Sequence, residues 1–583
     1  MGSELKERLY RARCECGPGS DKYIVSRDRM ALLITEAVVT EEIKPYVEDD
    51  GVAEEYSRRI CNRSRQLFGA LTYARKTADI IPLVDHGIAD EDLPFRRNLE
   101  KEEALDRHCF LEGKKGNRIP SLENWSRKDR EKFSRKQHMF TAPVFELGQH
   151  HDLDAHAILP FLDPEPNDQK TQQSSGGGYS RVFMRTIHPS HHNFWEPVDH
   201  SADGMPSSSS DFECQTHLDE RRIADKELIS DDEKEFDKEK QILSKLAPHP
   251  HLIQLYATYR QGLTWHLIFP CADANLREFW ENMKSPKMDS SIVSWSLKQM
   301  GGLADGLAKV HVCKVTVALS PDGAGKVRIQ EGGAKLSVVR GEEWYGRHGD
   351  IKPENVLFFK TNDDDDDDIG ILKLADFGLG RFHGRDSRSN VDPKTINFSP
   401  TYEPPEVTLG IPVRREYDIW SLGCLYLEFA TWLLKDFKAI IDFSHHRSEP
   451  LKGLKSFSDD SFYSIMDNPG TDKEAEVRET VKSWVDKLRQ EERCSQFMHD
   501  LLDLTMDRML RVDSTDRIKA TELPNEFAKF QQRANEDADY LLAPKPHPKP
   551  RPTTPRNIEP ARDNSSRRFS NKSVRFAGRT STA

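Results

Sequence analysis

Cysteine is sparse and scattered along this chain. Its 583 residues include 9 cysteines, only Cys14 and Cys16 lie close together, and no Cys-x-x-Cys pair occurs. That usage argues against a zinc or disulfide framework and fits a reducing compartment, so a cytoplasmic or nuclear location, or both, is expected. Long apolar runs are missing too. No stretch of about 18 or more apolar residues occurs, so no membrane-spanning helix is expected. The opening "MGSELKERLY" lacks the apolar centre of a secretory leader. It also lacks the Ser or Thr at position six that a myristoylation signal wants, since Lys6 stands there. Excess positive charge is absent. The formal net charge of -12 weighs against nucleic acid or a membrane surface as partner. No internal repeat is visible.

What remains is long and polar. Hydrophobic residues make up 36% and charged residues 31%, which suits a soluble chain with loose parts, and 583 residues exceed one ordinary core. Residues 1–24 read as a flexible lead, with "CGPGSDK" as a breaker. Residues 25–161 read as a mainly α-helical domain. In it Ile60, Leu67, Leu71 and Ala74 share one helical face, and "SLENWSRKDREKF" predicts a helix capped by Ser121. A polar linker at 162–173 leads into strand-like and helical segments over 174–535. These are interrupted by insertions at 188–218, 313–344 and 362–368. The tail at 544–583 is basic, rich in Pro and Ser, and reads as disordered.

The chemistry sits in "RHGDIKPENVLFF", residues 347–359. Transfer of a phosphoryl group needs positioning and neutralised charge more than covalent chemistry. Asp350 can receive or orient the proton of an attacking hydroxyl. Lys352 can lean on the moving phosphate, and Asn355 can hold a metal through its carboxamide. Downstream, "LKLADFGLGRF" puts Asp376 at the end of an apolar strand, where a carboxylate can hold Mg²⁺ against phosphates, and Gly378 gives a pivot. Upstream, "SSGGGYSRVF" offers Gly176, Gly177 and Gly178 ahead of Ser180 and Val182, so that backbone N–H groups can approach phosphate oxygens. By itself a triple glycine is also a common linker. "RRIADKEL" offers Lys226, with Asp225 as an odd neighbour in a strand, and "EFDKEKQIL" offers Glu239 as the lysine's helical partner.

In this order and spacing the motifs resemble the eukaryotic protein-kinase superfamily across residues 170–530, and Lys352 and Leu379 point to its serine/threonine branch. The chain is similar, more narrowly, to the multicopy kinase-domain proteins of filamentous fungi, through Ile158-Leu159-Pro160-Phe161 and "HPSHHNF". The resemblance implies an α+β, bilobal protein-kinase fold, with a small β-rich lobe and a larger helical lobe, preceded by the helical domain. It implies ATP and Mg²⁺ as cofactors, a protein substrate, and a protein serine/threonine kinase activity. It also implies a Lys226–Glu239 ion pair, a hinge in which the Phe269 carbonyl and Cys271 N–H bond adenine, and Ile268 guarding the pocket behind it. Glu406 would pair with Arg517 to brace the lower lobe, and Asp418 would brace the catalytic loop.

Gly349 departs from the family pattern, which has arginine there to bind a phosphate on the activation segment. The reacting groups do not need that arginine, so activity independent of segment phosphorylation is expected. Ser175 in place of a glycine, Asp225 and Gly349 together keep open the alternative of a pseudokinase scaffold. In the tail, Lys572 to Phe576, "KSVRF", resembles the docking motif for type-1 protein phosphatase. The acidic run at 363–368 reads as a solvated loop, and the histidine clusters at 150–156 and 188–201 lack metal-ligand spacing.

Overall fold

The N-terminal helices follow from local chemistry. In the computed structural model, Glu4–Arg11 (α1), Arg27–Leu33 (α2), Glu36–Ile43 (α3), Asp50–Arg63 (α4), Arg65–Ala74 (α5), Ile80–Asp85 (α6) and Arg127–Lys136 (α7) pack around one apolar cluster. Thr35, Asp49 and Ser126 accept hydrogen bonds from backbone N–H groups of the first turns of α3, α4 and α7. The residues described are 4–17, 21–97, 111–162, 180–195, 222–228, 236, 240, 243, 246, 248–312, 314–315, 326–331, 334–339, 344–345, 347–361, 369–377, 401–411, 413–450, 458–466 and 473–545.

Several sequence expectations change here. The first residues are not a flexible lead: α1 buries Leu5 and Leu9 in the helical core, and Cys14–Glu15 pairs with Tyr23–Ile24. The helix near 121 starts later. Pro120–Leu122 is a short 3-10 turn, and Ser126, in extended conformation, caps α7 by accepting from the Asp129 N–H at 3.1 Å.

The helical region does not end before the sheet begins. The β-rich lobe contains His150–Leu153 (β1), Phe161–Leu162 (β2), Ser180–Ile187 (β3), Arg222–Leu228 (β4), Ala257–Gln261 (β5) and Thr264–Pro270 (β6) in the order β1-β5-β6-β4-β3-β2. Strand β1 runs parallel to β5, and every other neighbour is antiparallel. The two edge strands therefore come from the segment read as the helical domain and its linker. Phe145 and Phe161 pack with Ile187, Ile223, Ala257, Tyr259 and Ile268 on one face of this sheet.

The leading part of the expected 188–218 insertion is likewise built in. His191 is 1% exposed. Its Nε2 accepts from the Arg27 N–H at 3.2 Å, and its Nδ1 lies 2.9 Å from the Pro143 carbonyl. The rest of that insertion and residues 362–368 lie outside the described residues. Within 313–344 the backbone forms an antiparallel hairpin, Lys326–Glu331 with Ala334–Val339.

The helical lobe follows: Leu276–Asn282 (α8), Ser290–Val312 (α9), Pro405–Leu409 (α10), Tyr417–Leu434 (α11), Phe437–Arg447 (α12), Glu479–Arg489 (α13), Gln496–Leu504 (α14) and Leu523–Glu536 (α15). Every residue of α11 is buried, so it is the axis of the lobe. Between α9 and α10, Val356–Phe359 (β7) and Ile371–Leu374 (β8) pair antiparallel and carry the catalytic residues at their ends. The packed lobe continues past 535. Tyr540 is 2% exposed and donates to Asp500, and the Lys545 N–H bonds the Cys494 carbonyl, so the first two residues assigned to the tail belong to the fold.

Candidate active site

The loop at 347–355 is held from below by one buried carboxylate. Asp418, at the start of α11, accepts from the His348 N–H through Oδ2 and from the Gly349 N–H through Oδ1, each at 2.8 Å. His311 Nε2, on α9, lies 2.8 Å from the same Oδ2. Burial alone would raise the pKa of Asp418; the His311 and Gly349 contacts outweigh it and hold the carboxyl below its ordinary range. Gly349 adopts φ +80, the left-handed region that glycine enters without strain. His348 is wholly buried, which keeps its pKa low, and its ring sits 4.9 Å from that of Phe377.

Above this platform the reacting groups converge. Lys352 Nζ lies 2.8 Å from Asp350 Oδ2. Asn355 Nδ2 donates to the Asp350 carbonyl at 2.8 Å and to its Oδ2 at 2.9 Å. The amide is thereby turned so that its oxygen is the atom left to face a cation. The Asn355 carbonyl accepts from the Ala375 N–H at 2.9 Å, which ties the loop to Asp376 at the end of β8. Asp376 has φ +64 and faces the cleft. Lys226, buried on β4, reaches its Oδ1 at 2.8 Å. The lysine charge holds the Asp376 carboxyl below its ordinary value against the effect of burial. Lys226, Asp350, Lys352, Asn355 and Asp376 therefore share one cleft, although 150 positions separate the first from the last. A carboxylate and a carboxamide oxygen are hard donors of the kind Mg²⁺ takes, so Asn355 and Asp376 fit that ion.

Other site candidates fall in different places. Ser180 and Val182 lie on β3, with Val182 opposite Lys226 in the ladder. Gly176, Gly177, Gly178 and Glu239 lie outside the described residues, as do Ser175, Gly378, Leu379 and the tail with Lys572 to Phe576. Phe269 is half-buried on β6, opposite Ala224, and Ile268 is fully buried. The Cys271 N–H, read as an adenine donor, instead bonds the Arg222 carbonyl at 3.3 Å, because Cys271 continues the β6–β4 ladder by one residue. Glu406 and Arg517 form a fully buried two-pronged pair, with Arg517 Nη1 and Nη2 at 2.8 and 2.7 Å from the two carboxylate oxygens.

Sequence reasoning missed three things. His311 gave only the weak signal of a histidine at the end of a long helix. Asp225 is no defect: it points away from Lys226, is 2% exposed, and accepts from Tyr259 Oη at 2.9 Å with His266 Nδ1 at 3.0 Å. A chain of side-chain contacts also links the loop to the residues before α10. Arg277 Nε bonds Glu354 at 3.2 Å and its Nη2 donates to Tyr402 Oη at 2.6 Å; Tyr402 in turn donates to Glu428 at 2.7 Å. Burial works against the charge on Arg277, but the neighbouring Glu428, Tyr402 and Glu354 raise its pKa above the ordinary value.

The two lobes and this cleft are arranged as the resemblance to protein kinases implies. Over residues 347–526 the chain matches the family model described as protein kinase domain. It is similar to cyclin-dependent kinase 2 of Caenorhabditis elegans, 38% identical over 85 residues, which cover 14% of this chain and 20% of that protein. It is similar also to cyclin-dependent kinase C-2 of Oryza sativa subsp. japonica, 31% identical over 176 residues, 30% of this chain and 31% of that protein. GLH-binding kinase 1 of Caenorhabditis elegans is 35% identical over 81 residues, 14% of this chain and 18% of that protein. The chain thus spans less than a third of the length of these curated relatives.

Proposed function

We propose that this chain is a protein serine/threonine kinase that transfers the γ-phosphoryl group of ATP to a protein hydroxyl. The observation that carries the reading is the convergence of Lys226, Asp350, Lys352, Asn355 and Asp376 in one cleft. Asp350 orients the acceptor hydroxyl and takes its proton. Lys352, already against Asp350, offsets the charge that builds on the transferring oxygens. Lys226 exchanges Asp376 for the nucleotide's phosphates. Asn355 and Asp376 would hold Mg²⁺, which when bound neutralises phosphate charge. Gly349 brings no cation to the activation segment, so activity does not depend on a phosphate there. Treatment of the purified protein with a general phosphatase leaves the transfer rate unchanged.

The test is phosphate transfer from ATP with Mg²⁺ by wild type and Asp350→Asn. Loss of the base lowers turnover about a hundredfold or more in the variant. A second reading, a pseudokinase scaffold, draws support from one observation: two groups offered to the nucleotide, Lys226 Nζ and the Cys271 N–H, are engaged within the protein. A scaffold gives equal, background transfer in both proteins.

A further inference from the structure

The protein grips the start of α10 in a way that needs no phosphate. Residues 458–477 include the antiparallel pair Tyr463–Met466 (β9) and Glu474–Val477 (β10), between α12 and α13. This hairpin contacts the chain ahead of and within α10 at two hydroxyls. Thr401 Oγ1 donates to Asp460 Oδ1 at 2.5 Å, and Thr408 Oγ1 lies 2.7 Å from Tyr463 Oη. Thr401 is 7% exposed, and Asp460 is half-buried.

Asp460 is itself held at three atoms. Its Oδ2 accepts from Ser444 at 3.1 Å, and its carbonyl accepts from Arg447 Nε at 3.0 Å. Arg447 is fixed in turn. Its guanidinium lies over the rings of Phe443 and Phe462, at 4.2 and 4.1 Å, and pairs with Glu428 at 3.3 Å. Beneath the hairpin, Arg478 bonds the Asp459 carboxylate at 2.8 Å and the Tyr463 carbonyl at 2.8 Å. The path closes on itself. Glu428 receives Tyr402, Tyr402 receives Arg277, and Arg277 binds Glu354, four residues beyond Asp350. Tyr402, next to Thr401, is thus joined to the catalytic loop through Arg277 and Glu354.

We propose that Asp460 is a positioning residue for the acceptor site. It latches the Thr401 hydroxyl and so holds the wall beside Asp350 in working geometry, the task that an arginine at position 349 would share with a phosphorylated segment. This rests on the kinase reading above. An uncharged hydroxyl on a fixed carboxylate is permanent, whereas a phosphate latch is conditional.

The test uses the full chain with Thr401→Val, Asp460→Asn, the double variant, and Thr401→Ser as the conservative rescue. Hydrogen exchange of the backbone amides at 401–409 is measured first. Kinetics follow, with casein as protein acceptor and ATP with Mg²⁺. The latch predicts faster exchange at 401–409 in Thr401→Val and Asp460→Asn. It predicts a KM for casein raised about tenfold, with a smaller effect on kcat and none on the KM for ATP. The double variant matches either single one, and Thr401→Ser behaves as wild type. Unchanged exchange in both single variants overturns the latch whether or not the wild type transfers phosphate. A general loss of melting temperature with kcat and both KM values shifting together overturns it as well. Background transfer by the wild type, equal to that of Asp350→Asn, overturns the kinase reading instead.

Discussion

Gly349 combines two constraints at a single position. Its N–H feeds Asp418 at 2.8 Å, and its φ of +80 is the price of aiming that N–H downward. A Cβ added there meets only Arg347 Nε at 3.6 Å, so space is not the obstacle. Gly349→Arg therefore lowers stability by about 1–2 kcal/mol through backbone strain alone, seen as a lower melting temperature, while phosphate transfer persists. Asp350, Lys352, Asn355 and Asp376 were legible from sequence because their chemistry depends on short offsets within two segments. Asp225 was not. Its partners Tyr259 and His266 lie 34 and 41 positions away on other strands. The alternation of a strand then decides that Lys226 faces the cleft while Asp225 faces the opposite side.

At the scale of elements, the seam between α2 and the turn after β3 is where histidines replace apolar contacts. Ser190 donates to Asp28 at 2.8 Å and lies 3.1 Å from His188 Nδ1. Burial pushes the pKa of His188 down from 6.5 to about 4, with Asp28 opposing and His191, Arg29 and His192 adding to the effect. Burial lowers His191 in the same sense. The unfolded chain takes a proton on residue 188 near pH 6.5, and the folded chain refuses it until about pH 4. Stability contributed by the neutral ring is thus full above pH 6.5 and lost between there and pH 4, by about 3 kcal/mol at most. His188→Asn flattens melting temperature against pH across that window; an unchanged slope would show that the seam does not titrate. This seam was hidden because "HPSHHNF" reads as a polar insertion, and only the fold brings residue 28 to residue 190. Helix starts were partly legible for a related reason: Ser121 and Ser126 are equally good caps on paper, and Pro120 beside the first diverts it into a separate turn.

At the scale of the molecule, the N-terminal region and the β-rich lobe form one body. Strands β1 and β2 close both edges of the sheet, and Phe145 and Phe161 cover one of its faces. Removing residues 1–162 uncovers both edges and that apolar face, so the remainder shows no cooperative thermal transition and aggregates. A soluble, cooperatively melting fragment would mean that the two parts are separable. The bilobal architecture was legible because the order of motifs carries it. The merger was not, since "HHDL" has little of the β-branched character that marks a strand and earns its place only by lying beside β5.

That placement has a consequence for how the chain comes to be folded. His150 meets Thr258 across 108 positions. During synthesis the first-made edge strand must therefore wait, unpaired, until the ribosome has released its neighbour. Nascent helices α1–α7 can gather early, but the sheet cannot be completed from the N-terminus forward. Strand β2 can pair with β3 as soon as Ile187 is made, whereas β1 must wait for β5, and a helper that shields "HHDL" in the interval would raise the yield of native protein.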